Sequence, residues 1–222
     1  MFSSELDTSF CITDSEHDTD IIEGLSGSCS SNCWESGENV SLRIVSFASQ
    51  NNWCAVESLL KTPAEKLDLS YKDELTGLTP LLMAIRDNKV AIAERLVLLG
   101  ASMLDTSREG YGICHLAAYY GSSEMIMMLS RFKADFNTTA GPHQAYPIHL
   151  VSGRTESEAY GALVAILNIT NDPDLNLNAR LVQDNDGAIP FIYAAKTGNP
   201  EIIKELLSVQ THVQINWQQN VS

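Results

Sequence analysis

Histidine and cysteine are the residues of this chain whose chemistry could be catalytic or metal-binding. His115 and His149 could each act as a general base or a metal ligand. Both fall on the same position of an internal repeat, so we interpret them as structural residues that hydrogen-bond the adjacent backbone. Cys29 and Cys33 could form half of a zinc site, but no second Cys or His pair lies near them. We therefore expect neither a metal nor a cofactor.

Sequence signatures of catalysis are absent from the chain. None of the patterns G-x-x-x-x-G-K-S/T, G-x-G-x-x-G, H-E-x-x-H and G-x-S-x-G occurs, and scattered carboxylates alone do not define an acid–base pair. The five cysteines are an odd set that does not resemble a disulfide framework. We expect no enzyme activity and no small-molecule substrate.

The negative charge of the chain is unevenly distributed. The 222 residues include 28 Asp and Glu against 14 Lys and Arg, a formal charge of −14 at pH 7. That balance argues against nucleic acid and anionic membranes as partners. Residues 1–40 contain nine acidic residues and no Lys or Arg. Because this Ser-rich segment has few large apolar residues, we predict a disordered acidic tail over residues 1–38.

Neither a membrane span nor a secretory signal is evident in the sequence. No apolar run approaches the roughly 18–20 residues that a membrane helix needs, and MFSSELDTSF lacks a basic n-region and an apolar h-region. We expect a cytoplasmic location. Thr13 and Ser15 precede acidic residues in TDSEHDTD, a context that acidophilic kinases favour. The tail could thus be a phosphorylated contact or simply a solvated acidic segment.

From residue 39 onward the sequence repeats a pattern with a period of about 33 residues. The clearest unit is TGLTPLLMAIRDNKVAIAERLVLLGAS, and GYGICHLAAYYGSSEMIMMLSRFKADFN and GAIPFIYAAKTGNPEIIKELL reproduce its spacing. Two weaker units, beginning SLRIVSFASQ and YPIHLVSGRTES, complete a series of five. The residues that define the pattern are Thr79, Pro80, Ala84, His115, Ala117, Gly121, Pro147, His149, Pro190, Ala194 and Gly198.

Each position of the repeat has a physical role in a pair of helices. The prolines suit the first turn of a helix, where a backbone N–H is not needed, and the alanines allow close approach of a neighbouring helix. We expect Asn88, Gly121 and Gly198 to end the first helix in the left-handed conformation. Met125, Met127 and Met128 could form a soft binding surface, but we interpret them as packed residues of a second helix.

This pattern of repeat positions resembles the ankyrin repeat, in which a β-turn and two antiparallel helices recur with a T-P-L-H-x-A entrance. The resemblance implies an all-α ankyrin-repeat solenoid of about five helix-turn-helix units with short β-turn loops, over residues 39–210. The predicted units are about 39–72, 73–105, 106–139, 140–182 and 183–210, followed by an irregular C-terminal tail at 211–222.

In this architecture the ends of the first helices line the concave surface. We expect that surface to be mixed in charge and to bind a protein partner. The candidate partner-binding residues are Arg86, Asp87, Tyr119, Tyr120, Arg154 and Lys196.

The repeat sequences and their order look like the first repeats of the NOMPC (TRPN) mechanosensory channels. The similarity includes a long interval of 43 residues between Tyr146 and Ile189. That resemblance implies a mechanically gated cation channel whose cytoplasmic ankyrin helix tethers the pore to microtubules. This chain would be a fragment of that tether, without a pore, on the cytosolic face of the membrane. Its partners would be microtubules or the remainder of the tetrameric channel.

Acidic tubulin is an awkward partner for an acidic chain unless a basic row formed by Arg86, Arg154 and Lys196 makes the contact. The alternative is a stand-alone cytosolic adaptor that binds a protein ligand on its concave face. The sequence reaches no further repeat entrance after SVQT, which suggests a truncated product. We therefore expect the last helix to expose an apolar face and the array to fray from residue 190 onward.

Overall fold

A computed structural model describes residues 39–61, 67–170 and 181–208. Across these ranges the chain forms ten α-helices and no β-strand, so the all-α prediction is confirmed. The helices are α1 Val40–Ser49, α2 Trp53–Leu59, α3 Pro80–Arg86, α4 Val90–Leu98, α5 Ile113–Tyr120, α6 Ser123–Arg131, α7 Pro147–Ser152, α8 Ala159–Thr170, α9 Pro190–Thr197 and α10 Pro200–Leu207.

Several sequence-based predictions lie outside the described residues. They are the tail at 1–38 with Thr13, Ser15, Cys29 and Cys33, and the C-terminal segment at 211–222.

Consecutive helices pair, and the pairs stack. Helices α1 and α2, α3 and α4, α5 and α6, α7 and α8, and α9 and α10 form five helix-turn-helix units. The first helix of each unit packs on the first helix of the next, and α4, α6, α8 and α10 form a second, outer row. The five-unit solenoid predicted from the repeat is therefore present.

The entrance residues of the repeat begin the first helices as predicted. Thr79 caps α3 by accepting a hydrogen bond from the backbone N–H of Leu82 at 3.4 Å. Proline occupies the first position of α3, α7 and α9, where it removes no helical hydrogen bond. The small residues that follow are fully buried: Ala84, Ala117 and Ala194.

The first helices end in two different ways. Asn88 (φ 51°) and Gly198 (φ 73°) adopt the predicted left-handed conformation. Gly121 does not, because it is extended at φ −79° and ψ 161°. A Cβ atom at Gly121 would stand 2.5 Å from the carbonyl oxygen of Ala117. The expectation of a left-handed Gly121 was wrong: glycine fits here because the end of α5 leaves no room for a side chain.

First and second helices together supply a continuous apolar core that runs from Ile44 in α1 to Leu206 in α10. Met125 and Met128 on α6 are fully buried, as predicted. Met127 is 53% exposed, so its assignment to the core was wrong. It lies on the outward face of α6, away from the positions at three- and four-residue spacing that contact the stack.

The loops between units connect to one another by hydrogen bonds. Lys72 donates to the backbone carbonyl of Thr106 at 3.1 Å, and Arg108 donates to that of Glu74. His143 contacts Asp186 through Nδ1 and Oδ2 at 2.6 Å. Each loop is therefore fixed by the next unit as well as by its own helices. None of the ten described helices is long and apolar enough to cross a bilayer.

Candidate protein-binding surface

Four tyrosines lie on the surface formed by the first helices and their adjoining loops. Tyr119 and Tyr120, at the end of α5, are half-buried and meet edge to face with ring centroids 4.7 Å apart. Tyr111, just before α5, and Tyr193, on α9, are also half-buried. We call these four residues the tyrosine surface.

Electrostatic interactions connect Tyr111 with Tyr119 and with Tyr193. Burial raises the pKa of Tyr111, with further contributions from Glu109 and Tyr119. Burial also raises the pKa of Tyr193, and the Asp184 carboxylate that accepts its hydroxyl hydrogen bond at 2.7 Å adds to the rise. Tyr111 also contributes to the shift at Tyr193. Tyr111 and Tyr193 are therefore neutral at physiological pH, and Tyr111 lies near enough to Tyr119 and Tyr193 to interact with both.

Arg86 and Asp87 adjoin the tyrosine surface as a closed ion pair. The guanidinium of Arg86 donates through Nε to Oδ1 of Asp87 at 2.7 Å and through Nη2 to Oδ2 at 3.3 Å. Both side chains are largely covered, with 28% and 18% exposed. The fork geometry satisfies the cation within the array, so Arg86 adds little unpaired positive charge to the surface.

Arg154 is buried, which corrects its assignment as a partner contact. It is 7% exposed, and its Nη1 donates to the carbonyl oxygens of Ala118 at 3.2 Å and Gly121 at 2.7 Å. Its Nε donates to Glu156 at 3.2 Å. The guanidinium therefore covers the C-terminal end of α5, where helical carbonyls lack partners and a cation is favoured. Arg154 joins its unit to the preceding one.

Lys196 is the exposed member of the predicted basic row. Its ammonium lies 5.9 Å from the centroid of the Tyr193 ring, within the range of a cation–π contact. A row of three exposed cations is therefore not present: Arg154 is buried, Arg86 is paired and Lys196 lies over a tyrosine.

Carboxylates outnumber cations around the tyrosine surface. Five acidic residues act electrostatically on these tyrosines or on Arg86, against the two cations Arg86 and Lys196. The five are Asp73, Asp87, Glu109, Asp184 and Asp186. We expected a surface of mixed charge; because Arg154 is buried, acidic residues are the majority among these charged groups.

The two buried histidines connect successive units. His149 accepts a hydrogen bond from the backbone N–H of Tyr146 through Nδ1 at 3.1 Å, so its proton is on Nε2. That Nε2 reaches the carbonyl of Ala188 at 3.0 Å, in the next unit. His115 makes the equivalent contact with the carbonyl of Ala145 at 3.2 Å. Burial lowers the pKa of both histidines, which favours the neutral form.

Metal and thiol chemistry have little support in the described ranges. No group of three or more His, Cys, Asp or Glu residues there could hold a metal ion. Cys114 is buried, and burial raises the pKa of its thiol to about 12, with a further contribution from Asp135. A thiol with such a pKa is a poor nucleophile at neutral pH.

Tyr119 and Tyr120 were predicted from the sequence as candidate partner contacts, whereas Tyr111 and Tyr193 were not. Tyr111 precedes the repeat entrance and Tyr193 follows it by four residues. Comparing these two repeat positions across the units would have identified both, because the corresponding residues in the clearest unit, Leu78 and Met83, are buried and apolar.

Stacked helix pairs joined by buried entrance histidines define a helical repeat protein. Residues 45–140 match the family model for ankyrin repeats, in three copies. The chain thus contains ankyrin repeats, which are generally protein-interaction modules rather than enzymes. No curated protein matches the chain, so the resemblance to NOMPC (TRPN) channels rests on the repeat sequences alone.

Proposed function

We propose that the array binds a protein partner on its tyrosine surface. The observation that carries this proposal is the group of half-buried aromatic rings on the first-helix side of the third and fifth units. Tyrosine is enriched at protein interfaces because it offers a large contact area with a polar tip and few rotatable bonds. These rings stand on or directly before helices that the stack already fixes, so little side-chain entropy is lost on binding.

Affinity capture with defined variants tests this proposal. The full chain and two variants would be compared: Tyr119→Ser/Tyr120→Ser on the tyrosine surface and Leu98→Ser/Met127→Ser on the outer helices. Leu98 and Met127 are 65% and 53% exposed, so the second variant removes exposed apolar surface elsewhere. A partner retained by the outer variant and lost by the tyrosine variant supports the proposal. The reverse pattern refutes it.

The more specific proposal is that this array belongs to the cytoplasmic tether of a mechanosensitive cation channel subunit. Its support is the order of the repeat sequences along the chain and the 43-residue interval between Tyr146 and Ile189. A tether must carry load from unit to unit, and the turns between paired helices are joined by hydrogen bonds. Asn88 accepts from the N–H of Ser122 at 3.0 Å, and Arg154 bonds the preceding unit as described above.

Microtubules are the partner that the channel context implies, and the alternative is a stand-alone cytosolic adaptor. The negative tyrosine surface favours the adaptor, because it would repel acidic tubulin. Sedimentation of the chain with microtubules at physiological salt separates the two. Co-sedimentation that Arg86→Glu/Lys196→Glu abolishes would support the tether, and absence of the chain from the polymer pellet would favour the adaptor.

A further inference from the structure

The charge and the aromatic rings of the tyrosine surface together specify one kind of partner. On the basis of the proposed function, we infer that the protein segment bound there presents lysine or arginine side chains to the tyrosines.

The first step is the balance of charge. Asp73 and Glu109 flank the surface from the loops, where Glu109 is exposed. Burial raises the pKa of Asp73, but hydrogen bonds from Thr76 outweigh that effect and lower it, so this carboxylate is charged at neutral pH. The charges of Arg86 and Asp87 cancel each other, because the two side chains form an ion pair.

The neighbouring loops do not reverse this sign. Lys72 and Arg108, which donate to loop carbonyls, are matched in number by Glu74 and Asp105 of the same loops. His143 adds a positive charge beside Asp186 only when it is protonated. Counted over these residues, the charge that an approaching cation meets is negative, and salt screens such charges only beyond the Debye length of about 8 Å.

The second step is the chemistry of the rings. A lysine or arginine over the face of a tyrosine is attracted by the electron-rich ring, and the attraction is stronger when water is excluded. The array already contains two contacts of this kind: Lys196 lies 5.9 Å from the Tyr193 ring centroid, and Arg43 lies 5.8 Å from that of Phe47. Carboxylates beside an aromatic ring strengthen the same attraction, whereas an acidic segment would be opposed by them.

A peptide-binding assay on the full chain tests this inference. The probe is a fluorescent peptide of about 12 residues that alternates arginine and serine, which spans about 40 Å when extended. Its counterpart has glutamate in place of arginine. Fluorescence anisotropy at about 0.15 M salt gives the affinity of each. The acidic tail at 1–38 is present in every variant, so its attraction for arginine is a constant in the comparison.

Two pairs of variants distinguish specific recognition from general charge attraction. Tyr119→Leu/Tyr120→Leu keeps apolar bulk but removes the rings, and Tyr119→Phe/Tyr120→Phe keeps the rings. Glu109→Lys reverses a charge beside the surface, and Glu57→Lys makes the same change on the exposed face of α2. Far-UV circular dichroism checks that each variant is folded.

We expect the arginine peptide to bind about five- to tenfold more weakly to the leucine variant and about fivefold more weakly to Glu109→Lys. The phenylalanine variant and Glu57→Lys should stay within about twofold of the unaltered chain. Equal losses for leucine and phenylalanine, equal losses for Glu57→Lys and Glu109→Lys, or equal affinity for the glutamate peptide would each overturn the inference.

Failure of this inference is distinguishable from failure of the proposed function. A captured partner that still requires Tyr119 and Tyr120, while the arginine peptide does not, leaves the surface as a binding site for a partner of other chemistry. Independence of both the peptide and the partner from these tyrosines removes the proposed function as well.

Discussion

Arg154→Met tests whether this buried arginine fastens the fourth unit to the third. Methionine keeps much of the side-chain volume and excludes water, but it cannot donate a hydrogen bond. The carbonyl oxygens of Ala118 and Gly121 would then lose donors that now lie 3.2 Å and 2.7 Å away. Glu156 would lose a partner too, but its side chain is 65% exposed and can turn to water.

The expected cost follows from those two bonds. A hydrogen bond to a charged group contributes about 1.5–3 kcal/mol, and a buried acceptor left without a donor costs about 1–3 kcal/mol. Because the two carbonyls share one guanidinium, the terms are not additive, and we expect a loss of about 2–4 kcal/mol in the free energy of unfolding. Arg154→Lys should lose about half of this, since an ammonium retains the charge but not the fork geometry.

Urea unfolding followed by far-UV circular dichroism measures the effect. The matched control is Arg131→Met, which removes a guanidinium that is 66% exposed and contacts Glu94 at 3.2 Å. An exposed pair of this kind contributes about 0–1 kcal/mol. If Arg154→Met and Arg131→Met differ by less than about 0.5 kcal/mol, the proposed role of Arg154 in stacking is refuted.

Three further changes test other parts of the fold. Gly121→Ala should lower the free energy of unfolding by about 1–3 kcal/mol because its Cβ would stand 2.5 Å from a carbonyl oxygen of α5; an unchanged urea midpoint would contradict this. Met128→Ala, in the core, should cost about 2–5 kcal/mol, and Met127→Ala, 53% exposed, under about 1 kcal/mol; equal costs would contradict the assigned burial. Burial lowers the pKa of His115 and His149 in the fold, so their stabilisation is present above the unfolded pKa of about 6.5 and is lost as the pH falls below it. Urea midpoints at descending pH should fall less steeply in His115→Gln/His149→Gln than in the unaltered chain, and equal slopes would contradict this.

Residues whose role depends on the local backbone conformation, such as helix caps, could be predicted from the sequence. Thr79 and Pro80 begin a helix for local reasons, and Ala84 is small because the repeat brings a neighbouring helix close. Gly121 illustrates the limit of this reasoning. Glycine serves both left-handed turns and sites without room for a side chain, and the sequence does not distinguish the two.

Residues that act between units were harder to predict. Arg154 was assigned to the surface because it follows the end of a first helix, and only the position of α5 in the preceding unit provides carbonyls that make its burial favourable. Tyr193 was missed although its partner Asp184 lies in the same unit, because the sequence does not show that the loop before α9 folds against that helix. The sequence states the period of a repeat but not which side chains reach the neighbouring repeat.

The burial of Arg154 connects the stability of the array to its recognition properties. If its guanidinium were exposed, the first-helix surface would carry a basic row suited to an acidic polymer. The carbonyls at the end of α5 instead accept hydrogen bonds from that guanidinium, and Asp87 pairs with Arg86. Negative charges therefore outnumber positive charges around the tyrosines. The contact that holds two units together therefore also sets the sign of the surface offered to a partner. This coupling makes a basic segment the expected ligand.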